Sequence, residues 1–156
     1  MEMPVFTIRG KNHRERGVDY GVQCKELIQG VLERYIRFFN GGHTAVSWDE
    51  AKVISKEFLP FIHSYSPELL DELEGIAQGA DVEFDDLLTL NSRSEAMTLV
   101  RRPPSDKEEL DGCSSVAVLP DASANGHTIL AQNWDTYTWQ EYGTVIFRFL
   151  EMTVRI

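Results

Sequence analysis

Between positions 14 and 39 the apolar residues recur every three or four places: Tyr20, Cys24, Leu27, Ile28, Val31, Leu32, Tyr35, Ile36 and Phe39. That period lays one continuous apolar stripe along a helix and predicts a single long helix over 14–39. Ahead of it, Val5, Phe6 and Ile8 suit a short strand. Behind it, Asn40-Gly41-Gly42 supplies residues that tolerate positive φ and end the helix. Ser47 with Glu50 three residues later forms a capping-box pattern, opening a second helix to about residue 64 with Ala51, Ile54, Phe58 and Phe61 inward and Pro60 as a kink point. Ser66-Pro67 sets proline at the first position of a third helix, which runs to about Ala80 through Leu69, Leu70, Leu73, Ile76 and Ala77. A fourth begins near Asp85 and carries Leu87, Leu88, Leu90, Ala96 and Met97.

The period then breaks. Residues 101–111 read RRPPSDKEELD, with two prolines, seven charges and one apolar residue. This composition predicts an exposed linker whose acidic members, Glu108, Glu109 and Asp111, are solvated. Beyond it the pattern is extended: residues 114–119, a turn over 121–126, residues 127–132, and a last stretch over 144–156 with Val145, Phe147, Phe149, Met152, Val154 and Ile156. The fold class expected is α+β, three or four helices followed by an antiparallel meander. No internal repeat interrupts that order.

Composition narrows the function. A chain of 156 residues, 42% hydrophobic, holds one domain or part of one. A net charge of -10 argues against nucleic-acid binding, which depends on Lys and Arg displacing counterions. Small-molecule or peptide substrates are the better expectation. No apolar run reaches the roughly 18–20 residues that span a bilayer, and the first nine residues lack a basic stretch leading into an apolar one. A cytoplasmic protein without a membrane partner is therefore expected.

Cys24 and Cys113 are the two cysteines, and neither lies in a Cys-x-x-Cys spacing; the four His are scattered. Neither a disulfide framework nor a metal site is indicated. Cys24 falls on the helical stripe and reads as a packing residue. Cys113 stands where the charged linker meets the first extended segment, in Asp111-Gly112-Cys113-Ser114-Ser115. The preceding glycine permits the backbone strain that would bring a thiol onto its carbonyl. Attack there gives a thioester by N-to-S acyl shift, and water then frees a chain starting at Cys113. Its new α-amino group, with a reference pKa near 7.7–8.0, can serve as base to the thiol of the same residue. By itself a Gly-Cys pair says little.

Read together, LDELEGIAQGADVEFDDLLTLNSRSE over 70–95, GCSS over 112–115 and AQNWD over 131–135, with Glu15, Gly17 and Gly21 near the start, resemble the acyl-coenzyme A:6-aminopenicillanic acid acyltransferase family, also called isopenicillin N acyltransferases, among the N-terminal nucleophile hydrolases. The resemblance covers nearly the whole chain in the same order. It implies an αββα sandwich, of which this chain holds the amino-terminal portion, with residues 1–112 as a helical pro-segment or α chain and 113–156 as the start of the β chain. It further implies Gly112-Cys113 as the cleavage site, Cys113 as nucleophile, and Asp135 as a carboxylate beside the freed amine, against the alternative that Asp135 is a strand-end turn former. Ser115 matches a hydroxyl that assists processing, or is an ordinary strand hydroxyl. Gln132 stands where related branches carry arginine, so no arginine role transfers there.

For Asn91, Arg93 and Glu95 the alternatives are a helix leading to the cleft or buried ion-pair structure; for Trp134 and Trp139, an acyl pocket or core packing. No cofactor is implied, though acyl-coenzyme A is a possible substrate beside small amides. Self-association or a second polypeptide completing the sandwich stand open as partners. Against an active enzyme stands a truncated or degenerate homologue that serves only as a folding or interaction module.

Overall fold

The computed structural model of the chain describes residues 3–99 and 113–150. The long helical stripe is carried by two helices rather than one: α1 (His13–Gln23) and α2 (Lys25–Phe38) meet at Cys24, whose φ of -108° and ψ of 14° leave the helical region. Asn12 caps α1 by accepting from the Glu15 N–H. The break lets both helices use the same partner. Helix α5 (Pro67–Ala80) runs backbone to backbone against α1, because Gly17 and Gly21 face Gly75 and Gly79; a methyl on any of the four would overlap the opposing backbone. Cys24 and Ile28 then close on Ile76, Ala77, Ala80 and Leu87 as one buried cluster. Arg16 pairs with Glu72 across the α1 and α5 seam.

A five-residue π turn, Phe39–His43, ends α2, and Gly42 takes a φ of 78° there, as its sequence allows. The Ser47 and Glu50 capping box forms and opens α3 (Trp48–Lys56). Helix α3 stops at Lys56, and α4 (Leu59–Tyr65) restarts with Pro60 in its first turn. This restart resets the helical phase, so Phe61 is not inward as the single-helix pattern required but 73% exposed. Helices α6 (Phe84–Asn91) and α7 (Arg93–Leu99) likewise replace one predicted helix, parting at Ser92. Among the described residues seven α-helices thus stand where three or four were expected. Trp48 Nε1 donates to Asp86 Oδ1 at 2.9 Å, and Lys52 Nζ reaches the same oxygen at 2.5 Å, tying α3 to α6.

The strands correct the meander. Strands β2 (Ser115–Val118) and β3 (Ile129–Gln132) are antiparallel, but β4 (Ile146–Phe149) pairs in parallel with β1 (Val5–Ile8), in register Val5 with Ile146 through Ile8 with Phe149. Burial explains the choice. The Phe147 ring of β4 lies 4.5 Å from the Tyr20 ring and 6.3 Å from that of Phe6, centroid to centroid, and Ile8 of β1 is fully buried. Just before β4, Tyr142 seats on α2 over Gly30, where the Arg34 guanidinium lies 4.0 Å from its ring centroid. The molecule is mixed α+β and mostly helical, with two small two-stranded sheets among the described residues. It divides into two compact units, Met1–Arg102 with Tyr142–Ile156, and Pro103–Glu141. Among the described residues no helix is long and apolar enough to cross a membrane.

Candidate active site

The smaller unit contains Cys113 and Asp135. Its β2–β3 hairpin is fixed by the register Ser115 with Gln132, Val116 with Ala131, Ala117 with Leu130 and Val118 with Ile129. One step further along the ladder, the Asn133 N–H donates to the Ser114 carbonyl at 2.9 Å. That bond holds the chain leaving β3 beside the chain leading into β2. Cys113 and Asp135 are thereby brought to the same end of the hairpin. The Cys113 thiol makes a long contact of 4.0 Å to the backbone carbonyl of Asp135, and Cys113 is exposed.

The side chain of Asn133 does two things at once. Its Oδ1 accepts from the Ser114 N–H at 2.6 Å, and its Nδ2 donates to Asp135 Oδ2 at 3.0 Å. A carboxamide alone among the side chains of this size carries both an acceptor and a donor on one planar group. The carboxylate of Asp135 is consequently tied to the backbone immediately after Cys113. Sequence reasoning assigned Asn133 no role. The signal was present in Asn133-Trp134-Asp135, since residues two apart in an extended chain share a side. Trp134, between them, is 57% exposed.

The other predicted residues fall as follows. Gly112 and the linker over 101–111 lie outside the described residues. Ser115 sits exposed on β2 opposite Gln132, with no bond to Cys113 or Asp135 among those described. Neither Trp134 nor Trp139 is buried core; Trp139 is half-buried and stacks on Tyr137 at 5.9 Å with 13° between planes. On α6 and α7, Asn91 and Glu95 are exposed. Arg93, expected in a buried ion pair, instead donates to the Leu90 carbonyl at 2.7 Å and lies over the Tyr35 ring at 4.9 Å. Of the three, Arg93 packs within the helical unit.

The two thiols are set apart by environment. Cys24 is 3% exposed, and burial pushes its pKa up to about 11, which suppresses the thiolate at neutral pH. Cys113 is open to solvent. Among the described residues no group of three or more His, Cys, Asp or Glu is placed to hold a metal ion.

No family model matches the chain. Curated enzymes do, two of them as follows. A β-alanyl-dopamine/carcinine hydrolase of Drosophila melanogaster is 28% identical over 123 residues, covering 74% of this chain and 30% of the enzyme. An acyl-coenzyme A:6-aminopenicillanic-acid-acyltransferase 40 kDa form of Emericella nidulans is 30% identical over 125 residues, covering 77% of this chain and 32% of the enzyme. The chain is a distant homologue of hydrolase and acyltransferase enzymes. Within that class, the relatives are members of the acyl-coenzyme A:6-aminopenicillanic acid acyltransferase family that the GCSS and AQNWD stretches resemble. The matched region spans about a third of the length of each relative.

Proposed function

We propose that the protein is a self-processing N-terminal cysteine enzyme that hydrolyses or transfers the acyl group of a small amide, with Cys113 as nucleophile. The observation that carries this reading is the exposed Cys113 at the head of β2, beside a carboxylate fixed through Asn133 to the next backbone amide. Kinship with a hydrolase and an acyltransferase supports the reaction class.

Processing begins when Cys113 Sγ attacks the Gly112 carbonyl carbon. The C–N bond breaks, its nitrogen takes the thiol proton, and the 1–112 segment is held as a thioester. Water releases it as a carboxylate and returns the thiol, so Cys113 becomes the first residue of the 113–156 segment. In turnover the freed amine accepts the thiol proton, the sulfur takes the substrate acyl group, and the leaving amine receives the proton. Attack by water on the Cys113 thioester returns the thiol and makes the enzyme a hydrolase; attack by a second amine makes it a transferase, and where acyl-coenzyme A is the donor the leaving group that takes the proton is the coenzyme A thiol rather than an amine. Asp135 orients the α-amine, and Ser115 assists the acyl shift.

The test is the mass of the full-length protein and of Cys113→Ala under denaturing conditions, with turnover of a chromogenic amide alongside. The wild type is expected as two species, one beginning Cys-Ser-Ser, and Cys113→Ala as one inactive chain. An active wild type without that terminus removes self-processing. A protein that is uncut and inactive is instead the non-catalytic homologue.

A further inference from the structure

The nucleophile and the carboxylate share no direct side-chain bond among those described; one amide bridges their surroundings. Asn133 Oδ1 accepts from the Ser114 N–H at 2.6 Å while Nδ2 donates to Asp135 Oδ2 at 3.0 Å. The backbone bond from the Asn133 N–H to the Ser114 carbonyl already holds the two strand ends together, so the side chain is not needed for pairing. Its effect falls on the two groups it touches. The first bond sets the peptide that follows Cys113. The second fixes the carboxylate by the single donor it receives from this side chain. Asn133 therefore sets the distance and direction between Asp135 and the backbone of the nucleophile.

From this arrangement we infer that Asn133 is a positioning residue for the Cys113 reaction, acting through Asp135 and the Ser114 amide. The inference rests on the reading of Cys113 as nucleophile. Three substitutions separate its parts. Asn133→Ala removes both bonds. Asn133→Asp keeps the shape and the acceptor toward Ser114 but sets two carboxylates against each other where a donor stood. Such a pair holds one shared proton to higher pH than a lone carboxylate, so the donor toward Asp135 is restored at low pH and lost at high pH. The double variant Asn133→Asp with Asp135→Asn reverses the bridge: the new carboxylate accepts from both Ser114 and the new amide, yet position 135 carries no charge. The titratable groups at this bridge are Cys113 and Asp135.

The experiment measures amide turnover from pH 5 to pH 8 for the full-length wild type and these variants, at a temperature where circular dichroism shows each folded. The ratio of Asn133→Asp to wild type is expected within about threefold at pH 5 and at least about tenfold down at pH 8, while the ratio for Asn133→Ala stays low throughout. The double variant should melt with the wild type yet turn over no faster than Asp135→Asn alone. A Cys113-dependent wild type with a flat Asn133→Asp ratio, or an Asn133→Ala variant of wild-type rate, overturns the positioning role and leaves the nucleophile standing. Absence of any Cys113-dependent turnover overturns both.

Discussion

Gly21→Ala sets two effects against each other, and the structure decides which wins. Alanine is the better helix former by about 1 kcal/mol, so an isolated α1 would gain. In place, the added methyl would overlap the Ile76 carbonyl oxygen and lie 2.7 Å from Ala80 N and 2.9 Å from the Gly79 carbonyl carbon. All three are backbone atoms of α5, so no side chain can swing aside. Contact at an ordinary 3.5–4.0 Å requires the helices to part by about 1 Å, which forfeits up to about half the dispersion energy along the rest of the seam. Overpacking of this kind costs about 1–3 kcal/mol, occasionally more, and a backbone seam belongs at the upper end. After the propensity gain the net loss is about 2 kcal/mol. With a urea slope of about 2 kcal/mol per molar, the midpoint of unfolding followed by far-ultraviolet circular dichroism falls by about 1 M. Gly30→Ala is the internal comparison, since the nearest atoms to its methyl belong to the Tyr142 side chain rather than to backbone, and it should cost less. A Gly21→Ala midpoint equal to or above wild type would refute the seam.

In the folded protein an alkylating reagent at pH 8 should modify Cys113 at least about a hundredfold faster than Cys24, read by peptide mass, because Cys24 is buried and its raised pKa leaves little thiolate. Equal rates would place Cys24 at the surface. Asp135→Asn should lower amide turnover about tenfold or more while leaving the urea midpoint near wild type, as the group is exposed; a parallel loss of both would make it structural. Burial pushes the Tyr20 phenol up to about 12. The raised value means its contribution to stability is complete below pH 10 and is lost as pH rises from 10 through 12, so Tyr20→Phe should flatten that alkaline loss in a melting series.

Much of the helical part was legible in the sequence because local rules dominate it. The Ser47 and Glu50 box, the Pro67 start and the Gly42 stop each depend on residues within one turn, and each forms. The break after Lys56 was foreshadowed by Pro60, but those at Cys24 and Ser92 were not, since an apolar period of three and four reports the buried face and continues across both. Pairing of β4 with β1 was invisible for the same reason: alternation reports which face is buried, not which strand lies alongside. At the candidate site, Cys113 and Asp135 were singled out by the family resemblance rather than by spacing alone. The bridge through Asn133 required knowing that Ser114 and Asn133 sit opposite each other, which only the hairpin register supplies.

The parallel pairing of β1 with β4 bears on how a severed chain would behave. The bond before Cys113 lies between them in sequence, so a cut there separates Val5–Ile8 from Ile146–Phe149 covalently while their ladder, the Phe147 contact with Tyr20 and the Tyr142 seat on α2 hold across the gap. The two pieces are interlaced, each completing a surface of the other. Scission would leave a nicked particle that migrates as one body on a sizing column and falls into two only in denaturant. The freed amine would stay beside its sulfur, and the leading segment would persist as a subunit rather than depart as a discarded leader.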